Sequence, residues 1–193
     1  MKIDGGHQMF DYEFNYKNFL EGDIDAFERI VLEYKDNLIY FISRYTGGDI
    51  STAEDIAQDV FAHLYVYKDQ YNFSYSLKTY IFTLGKNKAI DYMRKQSRII
   101  FNSYDNQLET QSEEKTLEDI IITKEEHRGL LAGFKSLSPD YQRALYLYVF
   151  EELSYKEIAK VMGKTLPQIK ILIFRARKAL KLELGEEDRE DEK

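Results

Sequence analysis

Residues 154–181, SYKEIAKVMGKTLPQIKILIFRARKALK, contain the most informative pattern in the sequence. Ser154 and Glu157 have the spacing of a capping box, in which each side chain bonds the other residue's backbone N–H at the start of a helix. A second box opens at Thr165, and Gly163 just before it readily ends a helix in the left-handed conformation. Two short helices joined by a glycine turn are typical of the helix-turn-helix arrangement.

The second of these helices, predicted from Thr165 to about Leu184, has two different faces. Apolar residues recur at helical intervals, and we expect this stripe to be buried: Ile169, Ile173, Ala176 and Leu180. The outward positions are mostly basic: Gln168, Lys170, Arg175, Arg177, Lys178 and Lys181. Basic side chains neutralise phosphates, and a helix N-terminus also attracts one. The pattern favours DNA binding over an ordinary solvated basic face.

Composition restricts the fold class. The 193 residues include 10 glycines, 2 prolines and no cysteine, with 44% hydrophobic and 32% charged residues. This supplies enough apolar material for a core, and it disfavours turn-rich β folds, disulfide frameworks and thiolate metal sites. No apolar run reaches the roughly 18–20 residues that span a bilayer, and the N-terminus lacks a signal-peptide pattern. We therefore expect an all-α, cytoplasmic protein without membrane insertion.

Charge is distributed unevenly, although the net charge is −7. Residues 126–185 contain 11 basic and 6 acidic side chains, whereas residues 99–125 contain 2 basic and 7 acidic ones. Residues 76–98 contain 6 basic side chains and one acidic one, and the C-terminal residues 186–193 are mostly acidic. Local basic patches outweigh the acidic total, because a charge acts over about 8 Å at physiological salt.

A second basic helix is predicted from about Leu77 to Arg98, after an aromatic loop at residues 71–76. We expect its aromatic residues to be exposed: Tyr71, Phe73, Tyr75 and Tyr80. Its basic residues are Lys78, Lys86, Lys88, Arg94, Lys95 and Arg98. Flat rings stack on unpaired bases while cations hold the backbone, so this composition suits single-stranded nucleic acid. Taken alone, it also fits aromatic residues buried in a core.

An acidic face is predicted on the preceding helix, which Ser51 and Glu54 are expected to cap. Asp55, Gln58 and Asp59 are neighbours on this face and have no basic partner nearby in sequence. Three interpretations remain open: a solvated face, a metal or acid–base pair, and a docking face for a basic protein. Metal binding is the weakest of the three, because the histidines, His7, His63 and His127, are scattered and no ligand spacing recurs. No catalytic elbow, phosphate-binding loop or nucleotide fingerprint is present either, so we expect no enzyme activity, metal or cofactor.

The sequence resembles the extracytoplasmic-function group of bacterial RNA polymerase sigma factors. The resemblance lies in AEDIAQDVF at 53–61, KNKAIDYMRK at 86–95, LSP at 137–139, LSYKEIA at 153–159 and RARKAL at 175–180. It implies an all-α protein of two small helical domains, sigma regions 2 and 4, joined by a flexible acidic linker. The implied division is an N-terminal tail at 1–18, region 2 at 19–98, the linker at 99–125, region 4 at 126–184 and an acidic tail at 185–193.

The resemblance also implies a role for each face. Asp55, Gln58 and Asp59 fall where the family docks on core RNA polymerase. The residues that fall where the family melts and reads the −10 element are Tyr71, Asn72, Phe73, Lys78, Tyr80, Lys86, Asn87, Asp91, Arg94, Lys95 and Arg98. Those that fall where it contacts the −35 element as duplex are Ser154, Tyr155, Thr165, Gln168, Lys170, Ile171, Phe174, Arg175, Arg177 and Lys178.

The implied function is that of a non-enzymatic transcription initiation factor. Its partners would be core RNA polymerase and promoter DNA, duplex and single-stranded, with an anti-sigma factor as a further candidate. A helix-turn-helix regulator that is not a polymerase subunit is one alternative, and a helical protein-interaction adaptor is another.

The sequence departs from the family pattern at two places. The family usually has Trp where this chain has Tyr80, so the ring is kept but the indole N–H is lost. The family often has Ser-Arg where this chain has Ile171 and Leu172. Ile171 and Phe174 would then lie on or near the DNA face, where they contact thymine methyls or form a patch for a protein partner.

Overall fold

The computed structural model describes residues 9–102 and 133–184, and within these ranges the regular structure is entirely helical. The prediction of an all-α fold is confirmed. The chain divides into two compact units, Met1–Ser112 and Glu113–Lys193. Within the described ranges, no helix is both long and apolar enough to cross a bilayer.

The N-terminal unit is built around one central helix. Its elements are α1 (Met9–Leu20), α2 (Ile24–Ser43), α3 (Ile50–Val66), a 3-10 turn (Lys68–Gln70) and α4 (Leu77–Asn102). Helix α2 packs against the other three helices. It does so through an apolar stripe with helical spacing: Ala26, Ile30, Tyr34, Leu38 and Phe41. Burial of this stripe removes apolar surface from water and so stabilises the unit.

Helix α1 corrects the predicted N-terminal tail at residues 1–18. Tyr16 is fully buried, and its hydroxyl donates a 2.7 Å hydrogen bond to the carbonyl of Lys68. Phe19 is buried beside it, with the two ring centroids 5.8 Å apart. Residues 9–18 are therefore part of the folded unit. The helix is short and only weakly amphipathic, so its sequence pattern gives little sign of it.

The start of α3 differs from the prediction that Ser51 caps it. Asp49 is the N-cap, and its carboxylate accepts bonds from the backbone N–H of Thr52 at 3.0 Å and from the Thr52 hydroxyl at 2.7 Å. Ser51 is exposed in the first turn. The bonds from Thr52, above all the backbone one, lower the pKa of Asp49. Asp is as good a cap as Ser, so the two candidates could not be separated by residue type.

Helix α4 crosses α2 at close range because of Gly85. A Cβ at this position would lie 2.8 Å from Cδ1 of Leu38, which is too close for any side chain without movement of the leucine. The helix ends at Asn102, beyond the predicted end at Arg98, and so extends into the predicted linker. The rest of that linker lies outside the described residues.

The C-terminal unit contains the predicted helix-turn-helix. After a helical turn at residues 133–136 come α5 (Pro139–Leu145), a π-helical turn (Tyr146–Phe150), α6 (Tyr155–Met162) and α7 (Leu166–Glu183). Both predicted capping boxes are present, and Gly163 ends α6 with φ of 66°. Helix α7 buries Ile169, Ile173 and Ala176 and packs against α5 and α6. The opposite face of α7 therefore points to solvent.

The corrected cap predicts a difference between two neighbouring alanine variants. Asp49→Ala should lower the free energy of unfolding by about 1 kcal/mol, because the Thr52 N–H loses its partner. Ser51→Ala should change it by less than about 0.5 kcal/mol. Denaturant unfolding of the full chain measures both values. An equal or larger loss in Ser51→Ala would show that Asp49 is not the cap.

The same cap predicts a pH dependence. Because the folded-state pKa of Asp49 is below its ordinary value of 3.8, its stabilising effect is complete above that value. The effect is lost as the pH falls through the lower folded-state value. The stability difference between the wild type and Asp49→Asn should therefore shrink in acid, and a constant difference would contradict the assignment.

Candidate nucleic-acid and protein-binding surfaces

The predicted acidic face lies on the outer side of α3. Asp55, Gln58 and Asp59 are all exposed, while Ile56 and Val60 between them are buried. One basic partner, absent from the nearby sequence, comes from α4: Nζ of Lys88 lies 3.7 Å from a carboxylate oxygen of Asp59. This ion pair is largely exposed and stabilises the unit little. The face remains available to a cationic partner.

A groove between α2 and α3 adjoins this acidic face. Its volume is about 340 Å³, and Gln58 belongs to both the groove and the face. The apolar lining residues are Val31, Ile39, Ala57 and Phe61, and the polar ones are Lys35, Glu54 and Gln58. An apolar floor with a charged rim suits a side chain from a partner protein better than a small charged ligand.

One outer stripe of α4 carries five of the eight α4 residues that are expected to contact the −10 element. Tyr80, Asn87, Asp91, Arg94 and Arg98 recur at intervals of three, four and seven, which places them on the same side of the helix. The stripe is exposed apart from Tyr80, which is half-buried at its start. Within it, a guanidinium nitrogen of Arg94 lies 3.3 Å from a carboxylate oxygen of Asp91.

Three of the basic residues that are expected to contact the −10 element lie off this stripe. Lys95 is exposed immediately beside it. Lys78 and Lys86 are half-buried, and their positions along α4 put them on other sides of the helix. The structure therefore brings Lys95 to the candidate surface but does not bring Lys78 and Lys86 to it.

Tyr71 is buried, contrary to the prediction that it is exposed. It is only 4% exposed, and its hydroxyl donates a 2.7 Å bond to the carbonyl of Tyr75. Its ring centroid lies 5.0 Å from that of Tyr16, 4.5 Å from that of Phe73 and 5.1 Å from that of Tyr80. Helix α1 covers the loop and buries the ring. The Tyr71 ring is thus the buried part of an aromatic cluster, and it is not accessible for stacking on a base.

Phe73 is the exposed member of that cluster. Its backbone has φ of 57°, an uncommon conformation for an aromatic residue, and its side chain is 37% exposed. The amide oxygen of Asn72 accepts a 3.1 Å bond from the N–H of Ser74, and Nζ of Lys17 lies 5.7 Å from the centre of the Phe73 ring. Residues with this conformation are enriched at functional sites. Here it holds an aromatic ring at the surface.

The contribution of α1 to this loop was absent from the sequence prediction. Tyr16 packs edge-on against both Tyr71 and Phe73, and Lys17 of the same helix approaches the Phe73 ring. The contacts join residues more than 50 positions apart, so local periodicity could not reveal them. Burial also raises the pKa of the Tyr16, Tyr71 and Tyr80 hydroxyls above the ordinary value of 10.

The outer face of α7 has the predicted basic residues together with an apolar pair. The exposed residues are Lys170, Ile171, Phe174, Arg175, Arg177 and Lys178. Ile171 is 51% exposed and Phe174 is 69% exposed. The first acidic residue of the helix is Glu183, in its last turn. This face is therefore strongly positive and partly apolar.

The residues predicted to contact DNA at the starts of α6 and α7 are engaged in caps. Ser154 bonds Glu157, and the Thr165 N–H donates a 2.8 Å bond to the amide oxygen of Gln168. Tyr155 is half-buried, its ring centroid 5.3 Å from that of Tyr148. Burial is the main cause that raises the pKa of Tyr155, and the charge of Arg177 acts in the opposite direction. The start of α6 thus lies close to the basic face of α7.

Two family models match the chain. Sigma-70 region 2 matches residues 30–99, which include the acidic face, the aromatic loop and most of α4. Sigma-70 region 4 matches residues 128–180, which include the helix-turn-helix. The two matches occur in this order and together cover more than half of the chain.

Several proteins are similar to the chain over nearly their full length. The extracytoplasmic-function (ECF) RNA polymerase sigma factor SigM of Bacillus subtilis is 28% identical over 162 residues, which cover 80% of this chain and 92% of SigM. The ECF RNA polymerase sigma-E factor of Escherichia coli is 27% identical over 169 residues, which cover 83% of this chain and 87% of that factor.

Solved structures share the fold. The sigma factor RpoE of Bartonella quintana, crystallised with the anti-sigma factor NepR, matches with a TM-score of 0.64 and 24% identity over 84% of this chain and 98% of that one. CnrH, solved with the cytosolic domain of CnrY, matches with a TM-score of 0.60 and 18% identity. The match covers 91% of this chain and 97% of CnrH. The models of both regions match in order, and the similar proteins named above are ECF RNA polymerase sigma factors. The chain therefore belongs to the sigma-70 family of RNA polymerase sigma factors, in its extracytoplasmic-function group.

Proposed function

We propose that this protein is a sigma subunit that binds core RNA polymerase, recognises promoters and opens their DNA, with no catalytic activity of its own and in the cytoplasm. The observation that carries the proposal is that the protein has two different candidate surfaces for nucleic acid. One is the outer stripe of α4 with the Phe73 loop beside it, and the other is the basic face of α7. The first suits unpaired bases and the second suits duplex DNA.

Core polymerase would dock on α3. Asp55 and Asp59 present negative charge, and Gln58 stands at the edge of the adjoining groove. A partner with a basic helix would place cations against the carboxylates and one apolar side chain in the groove. Such an arrangement combines charge steering with burial of an apolar anchor, which together give specific docking.

The separated strand would lie along α4 and the aromatic loop. Phe73 offers a ring for stacking, and Asn72 and Tyr75 are exposed beside it. Arg94, Lys95 and Arg98 continue the surface toward the end of the helix, where they would hold phosphates. Tyr71 supports the ring of Phe73 from below and would not contact a base.

The upstream duplex would lie against α7. Arg175, Arg177 and Lys178 are exposed for phosphate contacts, and the N-terminus of the helix adds the positive end of its dipole. An anti-sigma factor is also proposed as a partner. Support for it comes from the two structural neighbours solved with such factors or with a cytosolic partner domain.

Transcription with purified components tests the proposal and its alternatives. Core polymerase with this protein and fragmented genomic DNA should produce RNAs whose 5′ ends share two upstream sequence elements. Core alone should not produce them. A helix-turn-helix regulator would shift DNA mobility without core and start no RNA, and an adaptor would do neither.

Removing charge from the acidic face should weaken docking. Asp55→Ala with Asp59→Ala should lower the affinity for core polymerase about tenfold at low salt, since two exposed ion pairs are lost. Glu190→Ala with Asp191→Ala removes the same charge from the acidic C-terminal segment and serves as the control. Fluorescence titration of labelled protein with core measures both. Equal affinities would mean that the α3 face is only solvated.

Removing charge from α4 should impair promoter opening, which follows docking on core polymerase. Arg94→Ala with Lys95→Ala should reduce open-complex formation about tenfold, because two phosphate contacts to the separated strand disappear. Affinity for core should stay within twofold, which makes core binding the internal control. Permanganate reactivity of unpaired thymines reports the opening. An equal loss in both measurements would contradict the separate roles of α3 and α4.

A further inference from the structure

We propose that Ile171 and Phe174 determine sequence specificity by contacting the 5-methyl groups of thymines in the major groove of the upstream promoter element. The inference rests on the proposed function, because it assigns a ligand to a helix already proposed to bind duplex DNA. It names the chemical group that this helix reads, and it makes the two apolar residues specificity determinants.

The first observation is the position of the pair. Ile169 and Ile173 are buried, with exposures of 0% and 1%, and they define the inner side of α7. Ile171 lies almost opposite them on a helix of 3.6 residues per turn, and Phe174 is its neighbour one turn on. Their exposures of 51% and 69% mean that neither side chain contributes much to the packing of the unit. Their apolar character is therefore free to serve a ligand.

The second observation is the charge around the pair. Between Leu166 and Leu182 the helix has five basic residues and no acidic one. Lys170 and Lys178 lie on or beside the outer stripe, and Arg175 lies on the other flank. An apolar pair ringed by cations is complementary to a polyanion, and duplex DNA is the polyanion that a helix-turn-helix binds. The charge thus favours DNA over an apolar protein surface as the occupant.

The third observation concerns the polar residue that would otherwise read bases. A glutamine recognises adenine with both its amide oxygen and its NH₂ group. In this structure, the amide oxygen of Gln168 already accepts the Thr165 N–H at 2.8 Å. A two-bond contact to adenine would compete with this half of the capping box of α7. Base recognition therefore falls to the next outward positions, which Ile171 and Phe174 occupy.

The chemistry of the major groove then selects thymine. Guanine presents two acceptors there, cytosine a donor and adenine one of each, and an apolar side chain against them leaves these groups without water or partner. Thymine alone presents a methyl group. An isoleucine and a phenylalanine on the reading face thus favour thymine and disfavour the other bases at the same positions.

Selection from a randomised duplex provides the first half of the test. Holoenzyme assembled from core polymerase and the full chain is used to select promoter DNA that is randomised over the ten base pairs of the upstream element. Wild-type holoenzyme should enrich thymine at two or more positions. Holoenzyme with Ile171→Ala and Phe174→Ala should lose that enrichment while still opening the DNA at the −10 element, which is constant in the pool.

Deoxyuridine provides the second half, because it differs from thymine only by the missing methyl. Replacing each enriched thymine should weaken wild-type binding about fourfold, the size expected for one buried methyl-sized group. The double variant should bind both DNAs equally. Leu182→Ala is the matched control, since Leu182 is 61% exposed on the same helix but about 12 Å beyond Phe174. It should respond to deoxyuridine as the wild type does, and thermal melting confirms that each variant is folded.

The outcomes separate the inference from the proposed function. An enriched upstream element without thymine, or one in which deoxyuridine has no effect, would overturn the inference and leave the sigma function standing. Failure of the holoenzyme to enrich any promoter DNA would overturn both. A deoxyuridine effect of the same size in the wild type and the double variant would show that other residues contact the methyls, and would also overturn the inference.

Discussion

One-sided burial of amphipathic helices is the constraint on which every proposed binding surface depends. Helix α7 buries Ile169, Ile173 and Ala176 against α5 and α6, and this orientation alone turns its basic residues outward. Helix α4 is held against α2 at the close approach of Gly85, which directs Asn87 and Arg94 to solvent. A rotation of either helix by one residue would bury cations in the apolar core, where a charge without a partner is very costly.

The aromatic loop shows how a rigid scaffold supports a strained surface residue. Phe73 has a left-handed backbone, and Tyr71 beneath it is fixed by a hydrogen bond to the Tyr75 carbonyl. Tyr16 of α1 packs against both rings and is itself bonded to the 3-10 turn. A ring held in this way loses little freedom when a base stacks on it, so less of the binding energy is lost to ordering.

Local features of this fold could be predicted from the sequence, and non-local ones could not. The caps at Ser154 and Thr165 and the turn at Gly163 follow from residue types within a few positions of one another, and all three are present. Helix α1, the burial of Tyr71 and the ion pair of Lys88 with Asp59 depend on contacts between distant segments. The cap at Asp49 was missed for a different reason, since two good capping residues stand two positions apart.

Site-specific photo-crosslinking in a single promoter complex is the most direct test of the two-surface account. A photoreactive phenylalanine analogue at position 73 should label one separated strand, and only after the promoter opens. The same analogue at position 174 should label the upstream duplex before and after opening. Labelling of the same DNA segment from both positions, or labelling from position 73 in fully paired DNA, would contradict the account.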